Sequence, residues 1–189
     1  MRIPTLLLTL GLCLGGGTFA GASLYRADDD AVDPMEHLSK YVGTWQTATE
    51  FWMTPGADPI TWEGTATGRL VGSFLVTEHQ AEIEMFGQRM EFSGIDFSGY
   101  DTLKEAWVST WVDNQSQWLT HSEGGFDEAG DLVKRADMFN PMLGQSIPTD
   151  MTDHWISEDE WTMTFSQPQE DAEPITTMRI VMRRSTEEG

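Results

Sequence analysis

The sequence has little cysteine and little positive charge. Its one cysteine is Cys13, and 11 Lys and Arg residues stand against 31 Asp and Glu residues, for a formal net charge of −20. So negative a surface repels phosphate backbones and anionic lipids. We therefore expect no nucleic acid among the partners, and a single cysteine excludes an internal disulfide.

The sequence also lacks an uninterrupted apolar run of the roughly 20 residues that a membrane-spanning helix needs. The uncharged segment 3–14 follows Arg2 and ends at three glycines, and the small residues at 20–22 fit a cleavage site. This pattern predicts a secretory signal peptide over residues 1–22 and a secreted or periplasmic protein, with an uncleaved anchor as the second choice. After cleavage we expect no membrane contact.

The rest of the chain has the length of one globular domain. Residues 23–33 are short of apolar side chains and predict an acidic, flexible tether, and residues 34–186 predict a single domain. A helix is expected at its start, because Asp33 is a good N-cap, Pro34 suits the first helical position and Glu36 follows three residues after the cap.

From Thr44 onward the apolar residues recur at every second position, which indicates strands with one buried face. In residues 60–70, for example, Trp62 and Leu70 share the apolar face. The segment 139–149 is the longest interruption and predicts a loop over one mouth of the fold. The predicted strands are about 44–53, 61–71, 73–85, 88–97, 104–112, 117–123, 131–138, 150–156, 160–166 and 175–184.

About ten sequential one-sided strands without crossover helices must hide their edges. A closed barrel or a sandwich does this, and the local order of the strands favours an antiparallel up-and-down barrel. We therefore predict an all-β fold of about ten strands with one short N-terminal helix.

Several short motifs in this order carry a resemblance to a known family. They are Gly43-Thr44-Trp45, the segment 51–56, Gly99-Tyr100-Asp101, the segment 108–113 and the closing strand 178–183. Over nearly all of residues 36–184 the chain resembles the bacterial domain of unknown function 1579. The resemblance implies a lipocalin-like barrel in which the Trp of Gly-x-Trp closes one end, as in calycin barrels. It implies no activity, because the family has none established.

The chain is rich in tryptophan and methionine, with 8 Trp and 11 Met residues. Most Trp residues are expected to fill the core. Methionine, however, makes an adaptable lining for apolar guests, and a ten-stranded barrel has more interior space than its own side chains fill. We therefore predict an exported protein that binds a small apolar molecule inside the barrel. The candidate ligand-binding residues are Trp45, Phe51, Met53, Trp62, His79, Met90, Phe92, Trp111, Met163, Phe165 and Met178.

His79 is the one ionisable member of that set. It is included because the alternation places it on the inward face beside Leu75 and Ile83. It would orient a ligand or bind haem iron, although a hydrogen-bonded histidine without a ligand is the more common outcome. No metal site and no cofactor are predicted, since no two histidines have ligand spacing.

Two alternatives from other classes stay open. The first is an enzyme acting on a small organic substrate, with His79 and a carboxylate such as Asp96 or Asp113 transferring a proton. No nucleophile motif such as Gly-x-Ser-x-Gly supports it. The second is a non-catalytic surface or assembly protein with a filled barrel, which makes contact through its outer loops, above all 139–149.

Overall fold

A computed structural model describes residues 32–85, 87–140, 143–170 and 172–186. The predicted signal peptide and nearly all of the predicted tether lie outside these residues. The structure begins with one helix, α1 (Pro34–Ser39), and continues as strands only. The strands are β1 (Gly43–Phe51), β2 (Ile60–Val71), β3 (Phe74–Met85), β4 (Gln88–Asp101), β5 (Ala106–Asp113), β6 (Thr120–Phe126), β7 (Leu132–Asn140), β8 (Gln145–Ser157), β9 (Glu160–Gln167) and β10 (Ile175–Arg184).

The ten strands form a closed antiparallel barrel in chain order, which confirms the predicted fold class. Each strand pairs with the next one, and β10 returns to pair with β1, so that Arg184 lies opposite Trp45 and Met178 lies opposite Phe51. Closure leaves no sheet edge for another chain to extend.

Helix α1 blocks one end of this barrel. A side-chain oxygen of Asp33 accepts a hydrogen bond of 2.8 Å from the backbone N–H of Met35, as the predicted N-cap requires. The helix buries His37 and Leu38 against the barrel. The end of the barrel that holds α1 is the closed end, and the opposite end is the mouth.

Arg184, at the end of β10, holds the segment between α1 and β1 in place through hydrogen bonds. Its guanidinium donates to the carbonyl oxygen of Val42 at 2.9 Å and to that of Lys40 at 3.1 Å, and it lies over the ring of Trp45, 4.2 Å from the ring centre. The indole N–H of Trp45 donates to the carbonyl oxygen of Tyr41 at 3.0 Å. The Trp of Gly-x-Trp thus lies at the closed end, as the family resemblance implies.

The main core lies at that same end. Trp155 and Trp161 stack with their ring centres 5.7 Å apart, and Tyr41 and Trp45 meet them edge to face. Such edge-to-face contacts are favourable beyond the burial of area. A second, smaller core cluster contains Ala136, Met151 and Phe165.

The prediction of a loop over residues 139–149 is wrong. Strands β7 and β8 extend into it and form a hairpin in which Asn140 lies opposite Gln145. Pro148 pairs only with β7, because the ladder between β8 and β9 begins at Asp150, and proline is tolerated in strands at such edge positions. In the described residues of this segment, 139–140 and 143–149, no long loop covers the mouth.

Within the described part of the chain, no helix has the length and hydropathy needed to cross a membrane.

Candidate ligand-binding site

The inward-facing side chains lose burial from the closed end of the barrel towards the mouth. On β10, Met182 is 0% exposed, whereas Ile180 and Met178 on the same face are only half-buried. On β2, Ala66 is 1% exposed and Trp62 is half-buried. The interior is therefore packed solid beside α1 and keeps accessible surface towards the mouth.

The structure brings most of the predicted ligand-binding residues to the accessible part. Eight of the eleven are half-buried and lie on the inward face of their strands, while Phe165 is inward and buried. Trp45 is 1% exposed within the closed end, and Met53 is 42% exposed in the connection after β1. The eight half-buried residues are Phe51, Trp62, His79, Met90, Phe92, Trp111, Met163 and Met178.

Trp111 lies along the barrel wall in a space that Gly94 leaves open. A Cβ atom added to Gly94 would lie 2.3 Å from two ring carbons of Trp111, Cη2 and Cζ2. The ring stacks near Phe92, with centres 6.2 Å apart, and meets the ring of His79 edge to face at 5.2 Å. Its indole N–H donates to Asp113 at 2.8 Å, which fixes the orientation of the ring.

His79 is held neutral by its surroundings. Burial lowers the pKa of its imidazole, and the charge of Asp96 opposes this shift only in part. The two residues lie on neighbouring strands, since Asp96 faces Thr77, two positions before His79. Asp113 is engaged in its turn, where it accepts from Trp111 and from the backbone N–H of Gln115.

A buried ion pair lies deeper in the interior. The Lys134 ammonium is 3.8 Å from the carboxylate of Asp153, and these side chains are 8% and 3% exposed. Burial raises the pKa of Asp153 to about 6, Lys134 acts against that shift, and the charge of Asp96 adds to it. Among the described residues, the other carboxylate oxygen of Asp153, Oδ1, and the indole N–H of Trp161 have no hydrogen-bond partner.

Tyr41 connects this ion pair to the helix. Its hydroxyl lies 3.4 Å from Asp153 Oδ2 and 3.2 Å from His37 Nε2, and it accepts from the indole N–H of Trp155 at 3.3 Å. Burial and the charges of Lys40 and Lys134 lower the pKa of His37 to about 4, so that its imidazole is neutral at pH 7. Burial also raises the pKa of Tyr41, which keeps its hydroxyl protonated.

The outer wall carries an exposed apolar patch and two shallow grooves. Phe74 and Phe97 stack on β3 and β4 with ring centres 5.1 Å apart, beside Ile95, which is 43% exposed. The grooves have volumes of about 370 and 460 Å³ and are lined largely by outward-facing residues such as Gln80 and His121.

The sequence matches a family described as "Protein of unknown function (DUF1579)" over residues 31–184. The chain belongs to the DUF1579 family. No curated protein sequence matches this DUF1579 member.

Solved structures similar to the DUF1579 barrel are themselves barrels. The crystal structure of Rv2717c from M. tuberculosis is 14% identical and covers 82% of this chain and 99% of its own, with a TM-score of 0.58. A redesigned β-barrel, mFAP0, bound to DFHBI, is 14% identical over 77% of this chain and 99% of its own, with a TM-score of 0.40. At this identity the first likeness supports the fold alone, and the second is too distant to carry an argument.

The interior charges of the DUF1579 chain are the part of the site that sequence reasoning missed. A signal was present, because Lys134 is in phase with Leu132 and Ala136, and Asp153 is in phase with Met151. Alternation alone does not identify them as interior charges, because charged residues are rarely buried unless they are paired. The pair here joins two strands and is not visible as a local motif.

Proposed function

We propose that this protein is an exported, non-catalytic carrier of a small, mainly apolar molecule, which it holds in the mouth half of its barrel. The observation that carries this proposal is the decline of burial along the inward face. Met182 is fully buried, yet Met178 on the same strand and face keeps accessible surface. A ligand at the mouth would cover this remaining apolar surface.

The chemistry of the accessible surface fits such a ligand. Met163, Met178 and Ile180 form an apolar stretch across β9 and β10, and Trp62 and Phe51 continue it on the neighbouring strands. Ligand pockets are usually lined by apolar and aromatic side chains with a few polar groups that fix orientation. Flexible thioether side chains can adapt to guests of different shape.

The enzyme alternative has less support. Within the described residues no hydrogen bond joins His79 to Asp96 or to Asp113, and Asp113 is engaged by Trp111 and by its own turn. A proton-transfer pair needs a direct contact or a single bridging water.

The proposal is tested with a neutral fluorescent probe, N-phenyl-1-naphthylamine, and a variant that fills the interior. Met163→Trp adds bulk to the inward face of β9, and Thr162→Trp adds the same ring to the outward face one residue earlier. We expect the wild type and Thr162→Trp to bind the probe in the micromolar range and Met163→Trp to bind it at least tenfold more weakly. Absence of binding to the wild type, or unchanged binding to Met163→Trp, would contradict the proposal.

A second experiment identifies the natural ligand class. Native mass spectrometry of protein purified without detergent would reveal a co-purified molecule. Titration with fatty acids, retinoids and haem, followed by quenching of tryptophan fluorescence, then ranks candidates. Trp62 and Trp111 face the accessible interior, so a bound ligand is expected to change the emission.

A further inference from the structure

The charges inside the barrel do not cancel. Three carboxylates, those of Asp96, Asp113 and Asp153, lie on the inward face, whereas Lys134 is the one Lys or Arg side chain of the described residues that is buried there. Lys134 is 3.8 Å from Asp153 and serves as its counter-ion. With that pair matched, Asp96 and Asp113 are left without a counter-ion, and only Asp113 has hydrogen-bond donors, from Trp111 and from the backbone N–H of Gln115.

Asp96 is also free of direct partners. It stands opposite Thr77 on β3 and opposite Trp111 on β5, on the inward face. None of the described side chains donates a hydrogen bond to it or forms an ion pair with it. An inward carboxylate without a partner is costly unless a cation or a set of hydrogen-bond donors meets it. It is half-buried, so a ligand in the accessible interior can reach it.

The surroundings of Asp96 favour a cation as that partner. Trp111 is its direct neighbour across the strand pair, and an ammonium group is attracted to the face of an indole ring. The negative charge of Asp96 acts over much of the interior, since it partly opposes the lowering of the His79 pKa and adds to the burial that raises the pKa values of Tyr41 and Asp153. His79 lies on β3, Tyr41 lies between α1 and β1, and Asp153 lies on β8.

The deeper interior adds an unmatched acceptor. Asp153 is 3% exposed, and its Oδ1 atom has no donor among the described residues. A buried acceptor without a donor is unusual in native proteins. Asp96 and the Oδ1 atom of Asp153 thus lack donors, although Tyr41 and Lys134 meet the other oxygen of Asp153. His79, whose pKa is lowered by burial, adds no positive charge at pH 7.

From this arrangement, and resting on the proposed function, we propose that the ligand is an amphiphile with a protonated amine head, which binds at Asp96 against Trp111 while its apolar tail lies along Met163 and Met178. A fatty carboxylate would bring a second negative charge to an unpaired carboxylate. The same barrel therefore discriminates against it.

The test compares three probes with the same twelve-carbon tail, namely dodecylammonium, dodecanol and dodecanoate, each below its micelle concentration at neutral pH. Binding is measured by displacement of N-phenyl-1-naphthylamine at two salt concentrations. We expect dodecylammonium to bind at least tenfold more tightly than dodecanol, and dodecanoate to bind more weakly than dodecanol. Met163→Trp is expected to weaken the binding of all three.

Three variants separate the pocket from the general negative charge of the surface. Asp96→Asn removes the inward charge, Asp96→Glu keeps it, and Glu91→Gln removes one charge from the outward face of the same strand. We expect Asp96→Asn to reduce dodecylammonium binding to the level of dodecanol, and the other two variants to keep the preference. Circular dichroism tests whether each variant is folded. If Asp96→Asn does not fold, the comparison of the wild type with Asp96→Glu still tests the role of the inward charge.

Several results would overturn the inference. Equal binding of the three probes, tighter binding of dodecanoate, an equal loss in Glu91→Gln, or loss of the preference in Asp96→Glu would each do so. In those cases the apolar site of the proposed function stands if Met163→Trp still blocks the probes. If no probe and no neutral dye binds to the wild type, the proposed function itself fails.

Discussion

The ammonium group of Lys134 lies 3.8 Å from the carboxylate of Asp153 inside the barrel, and both side chains are almost fully buried. Burying two charges costs desolvation energy that their mutual attraction only partly returns. The pair is therefore weak support for stability as a whole. Loss of either member alone, however, leaves a buried charge without a counter-ion.

Lys134→Met is expected to destabilise the fold by about 3 kcal/mol at pH 7, because Asp153 loses its counter-ion. The loss is expected to be smaller at pH 5, where Asp153 is largely protonated, since burial has raised its pKa to about 6. Urea unfolding at the two pH values measures this. The exposed Lys104→Met serves as control and should change stability by less than about 1 kcal/mol. A double variant, Lys134→Met with Asp153→Leu, should recover most of the loss, and failure to do so would contradict the explanation.

Asp153→Asn removes a group whose folded-state pKa lies above its unfolded value of 3.8. Such a group stabilises the fold fully below about pH 4 and loses that contribution as the pH rises through 6. The wild type should therefore lose roughly 1–3 kcal/mol relative to Asp153→Asn between pH 4 and pH 6.5. His37, whose pKa is lowered to about 4, is present in both proteins and largely cancels from the difference. A stability difference that does not vary with pH would show that Asp153 does not titrate in this range.

Gly94→Ala is expected to displace the ring of Trp111, because the added Cβ would lie 2.3 Å from two of its carbons. Overpacking of this kind typically costs about 1–3 kcal/mol. Urea unfolding and the near-ultraviolet circular dichroism of the indole report it. In a Trp111→Phe background the smaller ring should remove most of the cost, because Phe lacks the two carbons in question. An equal cost in both backgrounds would place the strain elsewhere.

Arg184→Lys is expected to destabilise the fold by roughly 1–3 kcal/mol, because lysine cannot make the forked contact to two carbonyl oxygens and also cover Trp45. The matched control is Arg183→Lys on the next residue. Arg183 is exposed and pairs with Glu160 at 3.3 Å, so the control should change stability by less than about 0.5 kcal/mol. Equal losses in the two variants would refute a closing role for Arg184.

Much of the fold was predictable because the apolar period of two survives in nearly every strand. Residues 60–70 face inward and outward as their alternation indicates, and Asp33 caps α1 as expected. The start of β8 was missed because Gly144 and Pro148 are typical of loops. Only the place of Pro148 beyond the ladder with β9 makes it compatible with a strand, and pairing of that kind is not written in the local sequence.

The candidate site was predicted less completely than the fold. Alternation identified the half-buried lining, including Trp62, Met163 and Met178. It could not separate Trp45, which fills the closed end, from Trp111 in the accessible part, because both lie on inward faces. That difference depends on α1, which blocks one end of the barrel and leaves the other uncovered.

The pairing of β1 with β10 has a consequence for how the chain folds. The seam joins residues 45–51 to residues 178–184, the two ends of the domain, so an incomplete chain has nothing with which to close it. Bringing such distant segments together is slow, because the chain loses conformational entropy on loop closure before the stabilising contacts form. Acquisition of the native state is thus a late event that waits for the final strand to be synthesised, and removal of β10 (Ile175–Arg184) would leave β1 and β9 with unpaired edges prone to self-association.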